Sequence, residues 1–288
     1  MTATTLEAPH SAAAHRGTHV TFARVVRSEW IKLRSLRSSF WCYAIIVLLT
    51  IGFGTLLAFT FTAPSGGAMT ADQQSSFAVQ TAVLGVNFTQ LVAAVLGVLI
   101  ISGEYTTGMI RSTFQAVPSR LPAYFAKAVI LAVTTFVVGL VAIAVTALIT
   151  APILASKGVE SHLTDPNVLL PMLGGAGYLA LIAVLAFTFG AIIRSSAGGI
   201  ATAIGLVLVL PTVLSIVSSL TRADWMHNVS AFLPSEAGGK MFAFAQSGAA
   251  AAPSGIVALD AWQGLAVLGA WIVVFLVVGA VMVKRRDA

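Results

Sequence analysis

AVILAVTTFVVGLVAIAVTALIT, residues 128–150, runs for 23 residues without an Asp, Glu, Lys or Arg. At about 1.5 Å per residue a helix of this length reaches about 34 Å, enough to cross a bilayer core about 30 Å thick. Five more uncharged blocks of this kind lie at 40–62, 83–102, 169–193, 197–220 and 261–283. Between them little is left to cover a water-facing surface. The chain of 288 residues is 58% hydrophobic and 9% charged, with a mean hydropathy of +0.94, whereas a soluble domain carries about 25% charged residues. Soluble enzymes, nucleic-acid binders and disulfide scaffolds are excluded on this ground. The fold class is all-α, a polytopic membrane protein with six transmembrane helices over residues 21–288. Residues 1–20, rich in Ala, Thr and His, read as a disordered tail.

The net charge of +6 does not mark a nucleic-acid binder, because its placement follows the membrane. Thirteen of the 16 Lys and Arg fall before span one, between spans two and three, between four and five, and after six. The other loops hold Lys157, Arg222 and Lys240. Basic residues near span ends stay in the cytoplasm, so both termini are expected there, in a bacterial cell membrane. The acids divide 4 inside against 6 outside.

The absences bound the chemistry. An ion-coupled carrier places ionisable groups inside the bilayer; none of the six blocks has one, and Lys127 stands only at the edge of the third. No phosphate-cradling GxxxxGK[ST] occurs, since none of the five lysines precedes Ser or Thr. Nucleotide chemistry, with its ATP and Mg, therefore belongs to another polypeptide, and no cofactor, metal site or catalytic residue is expected in this one. His10, His15 and His19 lie without Cys or acidic company. Cys42 is alone and reads as a buried thiol. The first block is too long, and too far into the chain, for a cleaved signal.

Two segments outside the blocks have helical periodicity of their own. In FARVVRSEWIKLRSLRSSF, residues 22–40, the residues Phe22, Val25, Val26, Leu33, Leu36 and Phe40 share one face, with cations over the rest. Such an N-terminal amphipathic helix lies in the membrane interface, and Trp30 suits the headgroup level. Glu29 falls within the apolar face and needs a partner there. Lys32, three residues on, supplies one locally; a cation on a neighbouring element is the alternative. In GEYTTGMIRSTFQAVPSRLP, residues 103–122, Ile110, Phe114 and Val117 recur at i, i+4, i+7, Arg111 and Gln115 flank them, and Pro118 ends the helix. A short helix with an apolar patch beyond the bilayer is either a docking element or a helix lying on the headgroups.

Inside the blocks, uncharged polar residues are the clues to a pathway. Asn87, Thr89 and Gln90 stand in the second; Thr202, Thr212, Ser215 and Ser218 stand in the fifth, with a kink expected at Pro211. Asn and Gln there bond another helix or line a path. Ala197, Ala201 and Gly205, four apart, make a small-residue face that permits close helix approach.

In order and spacing, SEWIKLRSLRSSFW, GEYTTGMIRSTFQAVPSR and IIRSSAGGIATAIGLVLVLP make the chain resemble the permease subunits of type-2 ATP-binding-cassette (ABC) transporters, most closely the short bacterial, actinobacteria-like ones. The resemblance implies that the loop after span two is a coupling helix docking on a separate ABC ATPase subunit. Glu104, Gly108, Arg111, Pro118 and Arg120 stand at its recurring positions, while Met109 departs from the usual Thr. It further implies a second permease copy or paralogue, short re-entrant helices within 221–260, and a path flanked by spans two and five, so that Asn87, Gln90 and Thr202 are its candidate lining. The activity expected is ATP-driven export of a hydrophobic or amphipathic small molecule such as a drug, antibiotic or lipid-like compound, this chain not being itself an enzyme. The rival is a non-transporting membrane scaffold or sensor subunit of the same fold.

Overall fold

The computed structural model describes residues 21–62, 69–116, 119–221, 224–244 and 255–285. The tail at 1–20 with its three histidines, and Val117 and Pro118, lie outside them, as do the side chains of Arg111 and Phe114. Among the described residues every regular element is helical. α1 (Phe22–Ser35) precedes span one, α2 (Arg37–Thr60). Span two is α3 (Ala71–Val83) followed by α4 (Val86–Thr106), and α5 (Met109–Ala116) leads into span three, α6 (Leu121–Ala155). Span four is α7 (Pro166–Ile193). Span five is α8 (Ser196–Ile204), a π turn over Gly205–Val209, and α9 (Leu210–Thr221). α10 (Asp224–Ala231) and α11 (Pro234–Gly239) are short, and α12 (Ala261–Arg285) is span six. All six expected spans are long and apolar enough to cross a membrane.

The helices outrun the uncharged blocks. Span three begins at Leu121, seven residues before its apolar run, with Pro122 in the first turn, where a missing N–H costs nothing. Lys127 is therefore well inside a helix rather than at an edge. In span five the π turn precedes Pro211; a proline cannot donate to the preceding turn, and a wider turn absorbs the mismatch. The kink expected at Pro211 takes this form.

Span four is the centre of the bundle, with 78% of its apolar window buried against 17% for span five. α4 packs on it so closely that a Cβ on Gly97 would collide with the Ala183 carbonyl. Without a hydrophobic driving force between helices in lipid, this backbone approach supplies the packing that holds spans two and four together.

Candidate coupling site and pathway

At the end of the bundle that carries α1 and α5, a charged cluster is sealed inside. On α1, Val25, Glu29 and Leu33 recur four apart and form the buried stripe, with 4% of Glu29 accessible. Phe22 and Phe40 from the expected apolar face remain exposed, as does Trp30, over which Arg34 sits at 5.9 Å. Both partners considered for Glu29 are present. Lys32 Nζ donates to Oε1 at 2.8 Å, and Lys127 Nζ, from span three, donates to Oε2 at 2.5 Å. Lys127 also donates to Glu104 Oε1 at 2.7 Å, and Lys32 lies 3.2 Å from the same oxygen. Lys32 Nζ reaches Thr113 Oγ1 on α5 at 3.1 Å as well. Two carboxylates and two ammonium groups thus neutralise one another, which a buried ion set requires. Burial pulls the Lys32 ammonium down, but the bond to Glu29 and the charge of Glu104 outweigh it, and its pKa rises above the ordinary lysine value. The cluster joins α1, the end of span two, α5 and the start of span three.

The residues expected to dock divide between covered and exposed positions. Glu104 is buried and ion-paired near the end of α4. Ile110 is 4% exposed, packed against the chain itself, and Thr113 shares its inward side; among the described side chains of α5, those of Met109, Ser112 and Gln115 are exposed. Gly108 takes φ +72 in the turn between α4 and α5, a left-handed conformation that suits glycine. Arg120 caps α6 and donates to the Val283 carbonyl of span six at 3.5 Å. Lys127 and Thr113 escaped the sequence reading as site residues. The signal for Lys127 was an isolated cation abutting an apolar run.

At the far end of the bundle a cavity of about 450 Å³ opens between spans two, four and five and α11. Asn87 and Gln90 line it; Thr202 does not. The Thr202 hydroxyl donates to the Gly198 carbonyl of its own helix at 2.9 Å and is exposed. The Gln90 carboxamide oxygen accepts from the buried Tyr178 hydroxyl, and its Nε2 donates to the Asn87 carbonyl at 2.8 Å. Tyr178, Thr212, Ser215, Ser235, Glu236 and Lys240 complete the polar lining. A lining without fixed charge, expected from the uncharged spans, does not hold for this cavity. Its charges come from α11 and the turn after it, outside the six uncharged blocks.

Six spans, a buried ionic joint at one end and a polar cavity at the other describe a transport subunit in outline, and the family comparison decides which. Residues 25–212 match the profile described as ABC-2 family transporter protein. The chain belongs to that family. It is a multi-pass transmembrane permease of an ABC transporter, and membership implies an ABC ATPase subunit as partner. A comparison of the permease with curated proteins finds no match.

Proposed function

We propose that the permease exports an amphipathic compound as one half of a twelve-span dimer driven by two separate ATPase subunits, with both termini in the cytoplasm. The observation that carries this reading is the tie between α5 and the spans. α5 exposes Met109, Ser112 and Gln115, while Thr113 holds it through Lys32 to Glu29, Glu104 and Lys127. A push on α5 from an ATPase is therefore delivered to span two, span three and α1 together. Because buried, packed networks switch between arrangements rather than deform smoothly, the spans beside the cavity move as units. ATP and Mg act on the partner alone.

The second permease is supported by span five. Ala197 and Ala201 are exposed, a Cβ on Gly205 would meet open space, and Val213, Ile216 and Leu220 stand uncovered. The small residues permit a helix from another copy to approach closely. The polar lining of the cavity favours an amphipathic cargo over a purely hydrophobic one. The test is co-reconstitution with the cognate ATPase in proteoliposomes. Cargo movement that requires both subunits and ATP supports the reading; movement by the permease alone on a proton gradient overturns it.

A further inference from the structure

Glu236 and Lys240 stand about one helical turn apart, about 6 Å, and both line the cavity of about 450 Å³. Neither has an ion partner or a side-chain hydrogen bond among the described residues. Their segment is not a loop in water. A Cβ on Gly238 would collide with the Tyr178 ring, one on Gly174 with the Met241 carbonyl, and one on Gly264 with the Ala237 carbonyl. Tyr178 lies twelve residues into α7, about 18 Å from its Pro166 end at 1.5 Å per residue. α11 is thus wedged between spans four and six, with Glu236 and Lys240 themselves exposed along the cavity; an ionisable residue set among spans marks a site by default. Nearby, Ser235 lines the same cavity, and its buried Oγ has no partner among the described residues. Span five contributes the apolar side chains of Val207, Leu208 and Ile216 to the lining, beside the hydroxyls of Thr212 and Ser215. Cavities of about 320 and 270 Å³ share Asn87 and Phe242 on one side and Ser215 and Glu236 on the other, which extends the groove beyond the charge pair.

We propose that this cavity binds a zwitterionic amphiphile, its cationic group on Glu236, its anionic group on Lys240, and its apolar body along span five. The inference deepens the permease reading and rests on it only for calling the ligand cargo; equilibrium binding needs no ATPase, so the two can fail separately. Both side chains are exposed in the single chain, so opposite charges at fixed spacing select by pairing: a zwitterion pairs with both, whereas a ligand with one charge pairs with only one.

The test uses the full-length permease in phosphatidylglycerol nanodiscs. Nε-lauroyl-lysine is a zwitterion of non-lipid type, lysophosphatidylethanolamine a zwitterion of lipid type, and N-lauroyl-glycine carries the anion alone. At least one zwitterion should bind tenfold or more tightly than N-lauroyl-glycine, and which one binds tighter identifies the source of the ligand. Glu236→Gln should remove most of that preference and leave N-lauroyl-glycine within about twofold. Lys240→Met should weaken all three probes. The exchange Glu236→Lys with Lys240→Glu should recover zwitterion binding, which a merely structural role would not allow. Equal binding of zwitterion and anion by the native permease overturns the proposal. So does unchanged binding in both single variants, or a loss of the permease dimer with ligand binding unmoved, which would make the pair a subunit contact.

Discussion

Lys127 Nζ lies 2.5 Å from Glu29 Oε2, across 98 residues of sequence and with both side chains sealed from solvent. Among the described residues it is the one cation that touches both buried carboxylates from inside a span, since Lys32 approaches from α1 with a partly exposed side chain. Lys127→Met should therefore strand Glu29 and Glu104 with a single ammonium. Breaking a buried pair by removing one partner costs about 3–5 kcal/mol, so the variant should show reduced expression and a clearly lowered melting temperature in detergent. Adding Glu29→Leu to Lys127→Met should recover part of the loss, because the stranded charge is gone. Thermal scans of the three proteins check this.

α5 separates folding from docking by position. Ile110→Asp buries an unpaired carboxylate against the chain's own core and should lower the permease's own stability by several kcal/mol. Gln115→Trp, on the exposed side, should leave melting unchanged and weaken ATPase association at least tenfold, about 1.4 kcal/mol. Melting curves alongside co-purification distinguish the two.

Lys157 Nζ donates to the carbonyls of Ala58, Phe59 and Phe61 at 2.9, 2.6 and 2.7 Å, closing the last turn of span one. A cation at a helix C-terminus meets the negative end of the helix dipole. Lys157→Met should cost about 1–2 kcal/mol of stability, read as a modest fall in melting temperature with transport retained.

The ionic cluster sets a pH window. The folded pKa of Lys32 is raised, so its contribution to stability is complete below the unfolded lysine value of about 10.5 and is lost as pH rises through the folded value. The stability difference between the native permease and Lys32→Met should then stay constant from about pH 6 to 9 and shrink only above about pH 10.5. Melting temperatures measured across that range check it.

The six spans were legible because each contains an uncharged run as long as the bilayer is thick. Their ends were not: nothing in hydropathy shows that the helix of span three continues through Lys127 to Pro122. That Glu29 needs a cation could be read from its place on the apolar face of α1. Lys127 could not be named, since its distance in sequence is bridged only when α1 packs on span three. The periodicity of Ile110 marked an apolar face, read as covered by a partner or by headgroups, whereas in the structure the chain itself covers Ile110. Gln90 stood out as an amide in an apolar run and does line the cavity, whereas Thr202 satisfies its hydroxyl on its own helix, as Ser and Thr do without any functional partner. The resemblance implied short re-entrant helices within 221–260, but that Glu236 and Lys240 line a cavity there is visible only from the packing of α11 at Gly174, Gly238 and Gly264.

The claim at the centre of this account is that the exposed side of α5 is where the ATPase acts. The most direct measurement places a photo-reactive benzoyl-phenylalanine at position 112, 115 or 262 of the permease and irradiates membranes containing the cognate ATPase. Ser112 and Gln115 are exposed on α5, and Trp262, 76% exposed, begins span six at the opposite end of the bundle. Positions 112 and 115 should give ATPase adducts and position 262 none. Adducts from 262, or none from 112 and 115 while the intact complex still co-purifies, would contradict it.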